Sequence, residues 1–126
     1  MYILDSDVVI WILRGDQKII SAVENIVDKN RTGISTITVA EIYKFTFPSE
    51  FYKNEDLINQ QDLFPVTREI AKEAGLYWNQ FHHRLLTLSL ADTIVAATCK
   101  ANNYQLVTLN TRHFPMSDVK VLNPFK

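Results

Sequence analysis

Three acidic residues stand inside apolar runs, where an unpaired carboxylate costs of order several kcal/mol and something must offset that cost. Asp5 follows Tyr2-Ile3-Leu4, Glu41 lies between Ile37-Thr-Val-Ala and Ile42-Tyr-Lys-Phe, and Asp92 lies between Leu88-Ser-Leu-Ala and Thr93-Ile-Val-Ala-Ala. Asp7 is a further acid two residues beyond the first. If these groups gather when the chain folds, their mutual repulsion calls for a cation. Carboxylates without cysteine or a suitable histidine pair make a hard-oxygen site, suited to Mg²⁺, with Mn²⁺ as the alternative, rather than to zinc. A competing reading is local. Thr38-Val-Ala-Glu41 and Ser89-Leu-Ala-Asp92 both have capping-box form, so Glu41 and Asp92 could be the third-position carboxylates of two helices. Asp5 and Asp7 could likewise serve as caps.

The elements that must position these groups follow from periodicity. Tyr2 to Leu4 reads as a short buried strand, and Val8 to Leu13 as a short helix capped by Ser6 or Asp7 and closed at Arg14-Gly15. Ile19, Ile20, Val23, Ile26 and Val27 mark one face of a helix within 16–30, and Gly33 precedes a strand at Ile34 to Thr36. A helix opening at Thr38 is expected to run to about Phe47, ahead of Pro48. Residues 48–63 are ambiguous, with room for one more short helix. Leu63 to Val66 reads as a strand near an edge because it contains Pro65. Thr67 to His83 suits a crossover helix, Ser89 opens another that fades at Asn102-Asn103, and Tyr104 to Thr108 and Val119 to Leu122 are the last strands. Alternating short strands and amphipathic helices argue for an α/β sandwich with a mostly parallel sheet. In such a sheet the strand ends and helix starts carrying Asp5, Glu41 and Asp92 are neighbours along the ligand-binding edge. His113, in the loop from Leu109 to Phe114, falls on that edge, or is simply a solvated loop histidine. His82 and His83 are adjacent, so on a helix their side chains diverge and are not expected to share a metal.

Composition narrows the functional classes. The 126 residues are 47% hydrophobic and 21% charged, which fits one globular domain over 1–126. A single cysteine, Cys99, excludes an intrachain disulfide and a Cys-based zinc site. Gly15, Gly33 and Gly75 are too scattered for a dinucleotide fingerprint or a phosphate loop. The longest apolar run, Val8 to Leu13, is far shorter than a membrane span, and no secretory signal opens the chain, so a cytoplasmic location is expected. A net charge of −1 lacks the basic footprint of a protein that coats nucleic acid, and leaves room for local contact through a metal.

Four stretches, in order along nearly the whole chain, resemble the PIN-domain ribonucleases, and most closely the VapC-type toxins of bacterial toxin-antitoxin pairs. They are Met1-Tyr-Ile-Leu-Asp-Ser-Asp-Val-Val-Ile-Trp, Ile34-Ser-Thr-Ile-Thr-Val-Ala-Glu-Ile-Tyr, Ala91-Asp-Thr-Ile-Val-Ala-Ala-Thr, and Leu106-Val-Thr-Leu-Asn-Thr-Arg-His-Phe ahead of Val121-Leu-Asn-Pro. The resemblance implies a three-layer α/β/α sandwich and an RNA phosphodiester hydrolase, in which Asp5, Glu41 and Asp92 form the metal site. Asp5 and Asp92 would hold Mg²⁺, and Glu41 would ligate it or orient the attacking water. Asn110 stands where many members carry a fourth Asp and others an Asn; His113 stands where an acid is frequent. Asp7 occupies a position often held by Asn, and is an extra ligand or water-holder in this reading. Thr108, Asn110 and Ser6 would position water or phosphate oxygens, while Arg112 and Arg84 would contact the RNA backbone. The resemblance further implies a homodimer and a cognate antitoxin whose tail blocks the site. Tyr43, Phe45, Phe47, Phe51 and Tyr52 would suit a partner groove, with core packing accounting for at least half of them.

Two rival readings remain at this point. Leu4-Asp5-Ser6-Asp7-Val8 also fits the start of haloacid-dehalogenase-like phosphatases, but Lys100 and Lys120 are poorly placed and Asp92 stands alone. The other rival is a PIN-like binding module weakened in catalysis, for which Asn110 is the argument.

Overall fold

The first strand, β1 (Tyr2–Leu4), alternates its side chains between two cores, with Ile3 on one face of the sheet and Leu4 on the other. Leu106 and Val107 of β4 (Gln105–Val107) repeat the alternation. In this computed structural model, which describes residues 1–44 and 46–126, β2 (Thr32–Ser35), β3 (Asp62–Phe64) and β5 (Val121–Leu122) complete a parallel sheet of order β3-β2-β1-β4-β5. The expected α/β sandwich is present, and β3 is an edge strand as expected, although it ends at Phe64, so that Pro65 lies beyond the strand instead of within it.

Helices cover both faces. α1 (Ser6–Leu13), α2 (Gln17–Val27), α3 (Thr36–Lys44) and α4 (Phe51–Asn59) supply Val8, Val9, Ile19, Val23, Ile42 and Ile58 to the core over Leu4, Ile34 and Val107. α5 (Arg68–Phe81) and α6 (Leu90–Asn102) close the opposite face over Ile3 and Leu106, with Ala74, Tyr77, Val95 and Ala96 between them. Ile37 of α3 packs on this second core while Ile42 packs on the first, so α3 sits across the sheet's edge. Ile19, Val23 and Val27 recur at one helical face, and the Asp16 carboxylate caps α2 by accepting from Lys18 N and Ile19 N, both at 3.1 Å. Gly15, at φ +77°, takes the left-handed turn that separates α1 from α2.

The ambiguous stretch resolves into a 3₁₀ turn at Pro48–Glu50 and the helix α4. Several sequence expectations need correction. α1 is capped by Asp5, as the local reading of that acid allowed, with its Oδ1 accepting from Ser6 N at 2.9 Å; the cap is not Ser6 or Asp7. α3 begins at Thr36 instead of Thr38: the Ser35 hydroxyl accepts from Ile37 N at 3.2 Å, so Glu41 lies beyond the first turn and is not a capping group. β2 and β3 each start before the residue expected. His82 and His83 do not diverge; His82 is the cap of α5 and His83 lies past it, so helical spacing does not hold there, and their ring centroids are 3.7 Å apart. Phe45, one of the aromatics singled out above, lies outside the described residues. Among the described residues no helix is long and apolar enough to cross a membrane.

Candidate active site

Register places the first contact. Leu4 of β1 is the partner of Val107 of β4, so the next residues, Asp5 and Thr108, emerge side by side at the carboxyl ends of adjacent strands. From β1 the chain winds out to β2 and β3, then crosses to β4 on the other side of β1. This reversal makes a crevice at the strand ends, the usual ligand position in open α/β sheets. Asp5 is only 5% exposed. Its Oδ2 accepts from the buried Thr108 hydroxyl at 2.8 Å, and its Oδ1 caps α1.

Asp7, in the first turn of α1, reaches the loop after β4. Its Oδ2 accepts from Leu109 N at 3.1 Å and from Asn110 Nδ2 at 3.3 Å. The Ser6 hydroxyl faces the Glu41 carboxylate on α3 and favours its ionised form. Asp92 is the third residue of α6 and does form the capping box read from the sequence, accepting from Ser89 N at 3.1 Å. It also faces His113, whose Nδ1 lies 3.7 Å from Asp92 Oδ2, on the 3₁₀ turn Thr111–His113. Arg112, on the same turn, is exposed and makes no ion pair among the described residues. Arg84 lies over the Phe81 ring at 5.3 Å.

The four carboxylates share one electrostatic neighbourhood. Burial, then the Asp7 charge, then that of Asp92 push Asp5 from 3.8 to about 7, against the downward pull of the Thr108 and Ser6 hydrogen bonds. Burial raises Asp7 as well, with Asp92 adding to the rise and the Val8 and Leu109 donors opposing it. Glu41 is raised by burial and by the charges of Asp92 and Asp7, while the Ser6 hydroxyl and Lys44 pull it down. Lys44 sits three residues beyond Glu41 on α3; sequence reasoning passed over it, although the spacing that pairs them was visible. The groups are neighbours without being a closed ligand set: among the described residues, no three acidic, imidazole or thiol side chains converge to hold one ion. The Cys99 thiol is buried and pushed upward by burial and by Asp5, so it stays protonated and unreactive. Lys100, which a phosphatase reading would need, sits roughly two turns along α6 from Asp92 and pairs with Glu73 and Asp118 instead.

The chain matches the PIN domain family over residues 2–120. It is 32% identical over 119 residues to a protein described as Ribonuclease VapC10 from Mycobacterium tuberculosis, covering 92% of this chain and 87% of that one. In structure it is similar to a toxin-antitoxin complex chain from Klebsiella pneumoniae, with TM-score 0.80 and 20% identity over 100% of this chain and 99% of that one. It is similar too to a chain of DNA-bound VapBC from Salmonella typhimurium, with TM-score 0.81 and 18% identity over 98% and 97%. At those identities the structures speak for the fold. The sequence matches go further, and with them the parallel sheet and its acidic edge have a family: this chain belongs to the PIN domain proteins.

Proposed function

We propose that the protein is a divalent-metal-dependent endoribonuclease acting as the toxin of a toxin-antitoxin pair. The observation that carries this reading is the gathering of Asp5, Asp7, Glu41 and Asp92 at the sheet's switch point, where each of the three raised groups feels a neighbouring negative charge. The relative described as a ribonuclease supports the choice of RNA as substrate.

An all-oxygen donor set fits Mg²⁺, with Mn²⁺ as a substitute. Asp5, Asp92 and Glu41 would hold the ion, which when bound lowers the pKa of a water and offsets charge on the phosphorane-like transition state. The chain's own residues prepare that site. Thr108 fixes which way Asp5 faces, Ser6 favours the ionised form of Glu41, and the capping box leaves Asp92 tethered at the start of α6. Asn110, His113 and Arg112 line the loop after β4, where an RNA strand would pass, with Arg112 free to meet a phosphate.

The proposed partners fit the surroundings of Glu41. A cleft of about 150 Å³ beside it is bounded by Arg14, Phe47, Glu50 and Asn54, and Phe47, Phe51 and Tyr52 are exposed nearby. An antitoxin segment laid there would cover Glu41, and a second copy of the chain is the expected oligomeric partner. Substituting Asp5→Asn, Glu41→Gln and Asp92→Asn should each remove RNA cleavage while leaving the fold intact. Wild-type cleavage in any two of these variants would sink the assignment.

A further inference from the structure

Asp7 has little left to offer a metal. Its Oδ1 accepts from Val8 N at 2.7 Å, and its Oδ2 accepts from Leu109 N at 3.1 Å and Asn110 Nδ2 at 3.3 Å. The Thr108 hydroxyl lies 3.4 Å from the same Oδ2 but 2.8 Å from Asp5 Oδ2, and its single proton goes to the shorter bond. The Thr108 oxygen in turn accepts from Asn110 N at 3.1 Å. Residues 108–110 are therefore fastened to the start of α1, and the fastening determines where the Thr108 hydroxyl points.

Resting on the metal-site reading above, we propose that Asp7 and Asn110 are an acid–amide latch that positions Thr108, and through it Asp5, so that Asp7 is a positioning residue and Asn110 is its partner. The chemistry of the pair is asymmetric. A carboxylate offers two oxygens, which Asp7 uses for donors on two different elements, and it needs an N–H opposite, which the Asn110 amide supplies. An acid at position 110 would set two carboxylates against each other. Asparagine there is consequently a matched component, and the acid of the pair stands on α1.

The exchange of sides tests this. In Asn110→Asp the two carboxylates repel, in Asp7→Asn one acceptor is lost, and in the double exchange an amide on α1 again faces an acid on the loop. Melting temperatures of the metal-free proteins in EDTA, Mg²⁺ midpoints from thermal shift, and kcat and KM for RNA cleavage would be measured for all four chains. Asn110→Asp should lower the melting temperature by about 4 °C or more. It should also cut kcat by roughly tenfold with KM little changed, because the reacting end is what becomes misaligned. The double exchange should recover at least half of both losses. Melting losses in the double exchange equal to the sum of the single ones would overturn the latch. So would an Asn110→Asp chain that binds Mg²⁺ more tightly with no melting loss, since position 110 would then be an unfilled ligand place. The melting cycle decides the latch even if wild-type protein cleaves no RNA, an outcome that would instead remove the nuclease reading.

Discussion

Thr108 donates its hydroxyl proton to Asp5 Oδ2 at 2.8 Å, joining the residues that directly follow the first and fourth strands. The bond stabilises the ionised form of a carboxyl that burial and like charges push the other way. Thr108→Val keeps the volume and removes the donor. It should destabilise the protein by about 1–3 kcal/mol and move the acid limb of the pH–rate profile upward, whereas Thr108→Ser should behave as wild type. An unmoved acid limb in the valine variant would show that Thr108 does not govern Asp5.

Asp5→Asn separates the cost of the site from its use. Asparagine can still accept from Ser6 N at the cap, so the fold is retained, while the repulsion from Asp7 and Asp92 is relieved. The melting temperature of the metal-free variant should rise by a few degrees, and RNA cleavage should fall by roughly 10²-fold or more. A rise in stability with no effect on cleavage would favour the reading as a binding module.

The stability of metal-free protein should depend on pH with a definite sign. Asp5 is raised from 3.8 to about 7, so between those values the folded state binds a proton that the unfolded chain releases. The Asp5 contribution is complete below about pH 4 and is lost as pH climbs through about 7; Asp7 and Glu41 shift in the same direction. Melting in EDTA should therefore decline from about pH 5 to about pH 8, and the gain on adding Mg²⁺ should grow over the same window. A metal-induced gain that shrinks as pH rises would be inconsistent with a carboxylate site.

Gly33→Ala probes the scaffold. A Cβ at position 33 would run into the Phe64 ring and lie 2.9 Å from the Asp62 carbonyl oxygen, where β2 meets β3. Urea denaturation should show a loss of about 1–3 kcal/mol, with cleavage per folded molecule unchanged. Stability equal to wild type would mean that the edge strand is not packed as described.

Much of the candidate site was legible because carboxylates in apolar runs are costly: Asp5, Glu41 and Asp92 stood out before any pairing was known, and the fold makes them electrostatic neighbours. The Ser89–Asp92 box was also readable, since its partners are three residues apart. Thr38-Val-Ala-Glu41 misled for the same local reason. It has the box's form, yet Ser35 takes the capping role and frees Glu41 for the cluster. α4 was legible only as room for a short helix, because its run mixes aromatic and polar residues of which only Asn54 and Ile58 are buried. The bonds of Asp7 to Leu109 and Asn110 cross more than a hundred residues and depend on the β1–β4 register, which a pattern along the chain does not carry.

The most direct measurement is cleavage of total cellular RNA by purified protein in Mg²⁺, in Mn²⁺ and in EDTA, beside Asp5→Asn prepared identically. Discrete products that require the metal and vanish with Asp5→Asn are expected. Cleavage that survives both EDTA and the substitution, or an absence of products together with a melting temperature indifferent to either metal, would contradict a metal-dependent nuclease built on Asp5.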